Sequence, residues 1–332
     1  YLKKAPFGFT AAAGNFEQSG GDAVELQTLD GADTAGGLPD GNHIDNANMA
    51  TPPDGTPPTM QMYLWHYPGT TDAQDPYVPS SGAFDASVLL HEYTHGLSGR
   101  LVVDASGNST LNSIQAGSMG EAWSDYYAED YLTYKGFEPN TSKDGEILEG
   151  KYLTGGTGIR TEAMDCTVGK TSANCPAGGY TYGDLPTIGG TPEVHASGEV
   201  WAQTLWDIHE KLGRTKADTL ITRAMELSPD DPSMLDERNA ILQADQIAYN
   251  GNNSASLWKV FANRGMGYFA GTVDGGDTQP AEDFHIPPAA GAPSGDLSGT
   301  VKDANTNAPL ANAVVRITGH DSGNIGNMRV GS

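Results

Sequence analysis

Two histidines four residues apart, His91 and His95, enclose Glu92 in the run Val88-Leu-Leu-His-Glu-Tyr-Thr-His-Gly96. On a helix the two rings lie one turn apart and point the same way. Imidazoles so placed can share one zinc ion, and Glu92 stands close enough to activate a water at the metal. Such a centre needs a third protein ligand and leaves a fourth position open. Six residues after His95, where an elongated motif would place another histidine, stands Leu101. The alternative is a carboxylate from a second helix. Glu121 offers one in Gly117-Ser-Met-Gly-Glu-Ala-Trp-Ser-Asp-Tyr-Tyr127, and Asp125 follows one turn later on the same face. Asp125 can accept the remaining ring N–H of a zinc-bound histidine and so fix its tautomer. Taken singly, the histidines are an ordinary surface pair and the two carboxylates a solvated face. Taken together they describe a metal site.

The run His91-Glu-Tyr-Thr-His-Gly-Leu-Ser-Gly-Arg100 followed by Met119-Gly-Glu-Ala-Trp-Ser-Asp125 resembles the fungalysin metallopeptidases, relatives of thermolysin that use two histidines and a glutamate. The similarity extends to Asn46-Ala-Asn-Met-Ala-Thr-Pro-Pro-Asp-Gly55, Met60-Gln-Met-Tyr-Leu-Trp65 and Val194-His-Ala-Ser-Gly-Glu-Val-Trp201, and so covers residues 42–285. It implies a secreted zinc endopeptidase with an α+β, thermolysin-like, two-lobed fold. A β-rich N-terminal lobe would span 1–84 and an α-helical zinc-binding lobe 85–286, with the cleft between them. One zinc ion would be held by His91, His95 and Glu121. Glu92 would be the general base, and His195 would stabilise the charge developing on the scissile carbonyl. The strand over Met60–Tyr67, just ahead of the zinc helix, would pair its backbone with an extended substrate, and Val88 would wall a neighbouring pocket. Two departures from thermolysin stand out. Asn112 lies nine residues before Glu121, where that enzyme carries a tyrosine. Gly190 lies five residues before His195 in place of an orienting aspartate, which leaves Glu193 as a substitute. The rival class is a non-catalytic zinc-stabilised extracellular binding module. Glu92 argues against it, because a structural site needs only ligands.

Bulk properties narrow the partners. The 332 residues carry 42 acidic against 18 basic side chains, a formal net charge of −24. So acidic a chain is a poor match for nucleic acid or an anionic membrane and should be very soluble; the resemblance implies protein or peptide substrates, and a monomer is expected. The excess also leaves room for calcium, although no aspartate between Asp22 and Asp54 has the spacing of a calcium loop. No apolar run approaches the ~20 residues of a membrane helix. Tyr1-Leu-Lys-Lys-Ala-Pro6 lacks the apolar core of a signal peptide, so any signal is expected to have been removed already. The only cysteines, Cys166 and Cys175, are expected to form a disulfide, as suits a secreted protein. Glycosylation sequons begin at Asn108, Asn140 and Asn252.

These side chains need elements to position them. Residues 1–58 predict short strands and long turns, among them a strand over Ala23–Leu29. Asp85 is the expected N-cap of the zinc helix, and the second helix is placed at 116–134. Residues 135–194 read as a long irregular segment rimming the cleft, with Tyr180 and Tyr182 packed inside it. From Ser197 the stripe Trp201, Leu205, Ile208 and Leu212 predicts a helix, followed by three more at 215–227, 233–249 and 255–264. Trp206, Trp258 and Phe261 are core candidates. His209, Arg214 and the charges around Asp236–Arg238 are expected in solvent. Residues 287–332 form a linker over 287–298 and two strands, Gly299–Ala304 and Pro309–Gly319. They resemble the opening of a carboxypeptidase regulatory-like β-sandwich, too short here to fold alone.

Overall fold

The computed structural model describes residues 1–71, 73–141, 143–289, 291–292, 299–311, 314–316 and 327–329. The chain is a mixed α and β structure. Five short strands precede the first α-helix: β1 Glu25–Gln27, β2 Ala47–Ala50, β3 Thr59–Met62, β4 Leu64–Trp65 and β5 Ser80–Ser81. β1, β3 and β2 form one sheet in that order, β3 running parallel to β1 and antiparallel to β2, with Met60 opposite Leu26 and Met49. β3 is therefore paired on both edges. The expectation that the Met60–Tyr67 stretch offers its backbone to a substrate does not hold. The edge strands are β1 and β2.

Six α-helices follow among the described residues: α1 Ala86–Leu101, α2 Ile114–Lys135, α3 Val194–Leu212, α4 Arg214–Leu227, α5 Met234–Tyr249 and α6 Ser254–Asn263. Asp85 caps α1 as its sequence signal predicts, accepting from the backbone N–H of Ser87 and Val88. Ser233 and Asp236 close a capping box on α5. α2 packs against both α1 and α3, and Met119, Trp123, Tyr126, Trp201, Leu205 and Trp206 of α2 and α3 are all essentially without solvent contact. Gly198 permits the close approach of α3 to α2. A Cβ there would sit 2.7 Å from the backbone oxygen of Ser118. Val88 is buried with Met60, Met62, Trp65 and Leu153, so it packs a core and does not face the cleft.

Several charged side chains read as solvated are inside. His209 is buried and stacked on Trp206, with rings 4.8 Å apart. Arg238 is fully buried and donates to the carbonyls of Met266 and Gly267. Arg214, only partly covered, forks onto buried Asp130. Trp206 and Phe261 are core residues, whereas Trp258 is only partly covered, beneath the Arg238 guanidinium.

Among the described residues, 136–193 contain only short 3-10 turns and the bridge Ser172–Cys175, and are held by buried carboxylates. Glu162 accepts from the N–H groups of Ala177, Gly178 and Gly179, and Glu199 of α3 accepts from those of Thr161 and Glu162. Cys166 and Cys175 are bonded as a disulfide. Arg264 ties the segment to α3 through Cys166 O, Tyr180 O, Gln203 and Asp207. Tyr182 is buried and donates to Gln115, while Tyr180 is half-covered. Of the 135–194 stretch expected to rim the cleft, only Val194 among the described residues is in its lining, and the segment reaches the start of α1 at Asp85 and Ser87 and α2 at Asp125. Near the C-terminus, Val314–Arg316 (β6) pairs antiparallel with Asn327–Arg329 (β7), and Lys302 bridges Pro309. The first strand expected there is thus a single bridge. Residues 317–319 of the second lie outside the described residues, as do 293–298 of the linker.

Candidate metal centre

α1 carries His91, Glu92 and His95, and α2 carries Glu121 and Asp125. The packing of these two helices brings the side chains together as their spacing demands. His91 Nε2 lies 3.0 Å from His95 Nε2 and 3.2 Å from Glu121 Oε2, and His95 Nε2 lies 3.5 Å from Glu121 Oε1. Around a tetrahedral zinc with bonds of about 2.0–2.1 Å, neighbouring ligand atoms sit about 3.3 Å apart. The observed triangle fits that ion. Two imidazole nitrogens and one carboxylate are also the donor set a borderline metal prefers.

The centre is supported from behind. His91 Nδ1 donates to Asp125 Oδ1 at 2.6 Å, which directs Nε2 toward Glu121 and His95. Asp125 is held in turn by Arg160, whose Nε and Nη2 each donate to it at 2.8 Å. Burial opposes charge on Asp125, but Arg160 and His91 hold its carboxyl down at about 2. Burial pushes the Glu92 carboxyl up to about 7, a push that His91 partly offsets. Burial likewise lowers the His95 ring to about 4. His195 opens α3, with Nε2 3.4 Å from Glu121 Oε2 and Nδ1 2.5 Å from Glu193 Oε1. The other Glu193 oxygen caps α3 through the N–H groups of His195 and Ala196. Among the described residues, two sets have ligand atoms within 4.8 Å of one another: His91, His95 and Glu121, and His91, Asp125 and Glu149, neither with His195.

A cleft of about 530 Å³ opens over these groups. Its walls include His91, Glu92, His95, Glu121 and His195, with Asn46–Met49 of the β2 edge on one side. Asn112, exposed, is not among its lining residues.

The fungalysin metallopeptidase family matches residues 5–270 of this sequence. The chain belongs to the fungalysin family. It is 34% identical over 290 residues to extracellular metalloproteinase 2 of Phaeosphaeria nodorum, covering 78% of this chain and 40% of that protein. It is 35% identical over 289 residues to extracellular metalloproteinase MEP of Fusarium vanettenii, covering 78% and 40%. It is 34% identical over 290 residues to extracellular metalloproteinase 3 of Trichophyton soudanense, covering 80% and 67%. The chain thus spans about 40% of the length of the first two relatives. Membership of a metallopeptidase family implies a metal, for which the donor set above is suited.

For this fungalysin, sequence reasoning missed Arg160. It lies 35 positions from Asp125 in a segment without periodicity, and only the fold brings the two together. Glu193 was legible as a substitute orienter because Gly190 left that role open. Among the described residues no helix is long and apolar enough to cross a membrane.

Proposed function

We propose that the chain is the catalytic part of a secreted zinc endopeptidase, with a β-rich lobe over 1–84, a helical lobe over 85–286 and the cleft between them. One observation carries this reading: His91, His95 and Glu121 converge in an open cleft beside Glu92, a carboxylate that the donor triangle does not need. Bound at that triangle, zinc supplies a Lewis acid that polarises the scissile carbonyl and acidifies water. Glu92 takes a proton from the attacking water and passes it to the departing amine. His195, aligned by Glu193, donates to the oxygen on which negative charge develops. Asp125 and Arg160 keep the His91 ring in the orientation a ligand requires. The free edge of β2 at Asn46–Met49 pairs with an extended peptide, so substrates are proteins or peptides bound through their backbone. Relatives named as extracellular, together with the disulfide, support secretion.

Casein hydrolysis, measured with metal analysis of the same sample, tests the proposal. The expected result is one zinc per chain, with cleavage lost on chelation and restored by zinc. Glu92→Gln should retain the zinc and the fold while losing nearly all activity. A zinc-loaded folded chain that leaves casein intact, or a Glu92→Gln variant cleaving at the parent rate, overturns it.

A further inference from the structure

Charge is unevenly spread along the chain. Residues 5–134 carry 17 acidic side chains and one basic, Arg100, whereas the other 202 residues carry 25 acidic and 17 basic. The cation-poor stretch is the one that walls the cleft, supplying every lining residue except Val194 and His195. Among the described residues no lysine or arginine lines it. Arg100 is turned inward: its side chain is 1% exposed and lies between Asp22 and Asp54, donating also to the carbonyls of Gly14, Pro52 and Thr56.

The metal groups do not reverse the sign. Zinc at the triangle would bring two positive charges against the carboxylates of Glu92 and Glu121, and Arg160 answers Asp125 in its fork. The rim therefore decides the field. Glu193, directly before lining residue Val194, and Asp54, three positions after lining residue Thr51, have half or more of their side chains exposed. Asp104 lies at the surface in the turn closed by the Val103–Ser109 bridge, and Ser109 lines the cleft. Deeper in, Glu92 is buried with Oε2 unpartnered. Apart from Glu92, His195 and the triangle, the lining side chains are uncharged, among them Met49, Leu111 and Val194.

An excess of one sign around a concave, low-dielectric wall focuses field lines into it and raises the local concentration of oppositely charged ligand. Substrates of like sign are repelled. We infer that the cleft selects cationic substrates: peptides and unfolded protein segments with lysine or arginine on either side of an uncharged stretch that occupies the cleft. The inference rests on the peptidase reading and names the substrate class for it. Rim charges stand away from the reacting bond and act alike on bound substrate and transition state. The selection therefore falls on KM and on the rate of association, with kcat little changed. It also weakens as salt screens the field.

The test uses zinc-loaded chain and three peptides that share one uncharged centre, flanked by lysines, serines or glutamates. kcat/KM is measured for each at low salt and again at ~1 M sodium chloride, where the screening length is about 3 Å. At low salt the lysine peptide should exceed the glutamate peptide by about 10-fold or more, with the serine peptide between, at the lower end of electrostatic steering. At ~1 M salt the three should converge to within ~2-fold. Ser109→Lys, which adds a cation to the wall, should shrink the low-salt ratio by roughly 3-fold. Equal values for the three peptides at low salt overturn the inference and leave the acidic excess as a solubility feature. A preference for the glutamate peptide overturns it too, as does a lysine preference that salt does not touch, which would mark a local contact and not the field. The serine peptide keeps the two readings apart. If zinc-loaded chain cleaves it, the peptidase reading stands whatever the charge order; if none of the three is cleaved, that reading fails and the inference with it. Should Ser109→Lys not fold, the salt dependence of the parent decides the matter on the same criteria.

Discussion

Arg160 holds Asp125 with two nitrogens, each 2.8 Å from a different carboxylate oxygen, and Asp125 passes that constraint to the ring of His91. The contact joins an irregular segment to α2, the helix that also carries Glu121. Arg160→Met would leave Asp125 buried without its cation and free to rotate away from His91. Zinc affinity should fall by about 10–100-fold, the usual effect of losing an outer-shell partner. Arg160→Lys should recover little, since an ammonium cannot reproduce the two-point fork. Competition with a chromogenic zinc chelator measures this, and parent-like affinity in Arg160→Met would refute it.

The grouping of His91, His95 and Glu121 was legible in the sequence because a shared metal would impose a strict local geometry. Residues i and i+4 must share a helix face, and His91, His95, Glu121 and Asp125 all obey that period. The helices were legible for the same reason, with Asp85 and Ser233 announcing starts that the structure keeps. Strand order was not, because alternation reveals a strand's faces and not its neighbours. Thus the alternation of Met60 and Met62 in β3 gave no sign that this strand lies between β1 and β2. Charge misled at His209 and Arg238. A charged side chain is buried when partners await it: His209 stacks on Trp206 of the same helix, and Arg238 meets the Met266 and Gly267 carbonyls of a distant stretch. Arg160 combined both obstacles, a distant partner and no periodicity.

The disulfide can be weighed from its loop alone. Cys166 and Cys175 are nine positions apart, and closing so short a loop in the unfolded chain removes entropy worth roughly 2–3 kcal/mol. Cys166→Ser/Cys175→Ser should lose about that much in denaturant unfolding while keeping its zinc. A loss below about 0.5 kcal/mol would show that the bond does not constrain the unfolded ensemble as the loop-entropy account requires.

Glu237 gives a pH prediction far from the metal. It is fully buried on α5, and burial pushes its carboxyl from the ordinary 4.5 up to about 7, with Ser228 only partly offsetting this. Below the unfolded value both states are protonated and the group costs nothing. As pH rises, the unfolded chain ionises first and stability falls, until the loss is complete above about 7. Glu237→Gln removes that loss. It should be more stable than the parent by ~2–3 kcal/mol near pH 8 and by less than ~1 near pH 5. Urea unfolding at both pH values checks the sign, and a difference that does not change with pH would contradict it.

His195 stands where a structural and a catalytic role predict opposite results. The cap of α3 is the Glu193 side chain, so truncating His195 leaves the helix start intact. His195→Ala should therefore melt within a few degrees of the parent and keep its zinc. If the ring donates to the developing oxyanion, kcat should drop by ~10²–10³ while KM changes far less, because the interaction strengthens only as charge builds. Glu193 separates orientation from capping. Glu193→Gln keeps an oxygen for the N–H groups of His195 and Ala196 but lacks the charge that aligns Nδ1, so kcat should fall by roughly 10-fold with melting preserved. Glu193→Ala loses both functions and should also lose about 1 kcal/mol of stability. Steady-state kinetics, zinc content and melting on these three variants distinguish the roles. An unchanged kcat in zinc-loaded, folded His195→Ala would remove the ring from the chemistry and leave Glu193 as a helix cap alone.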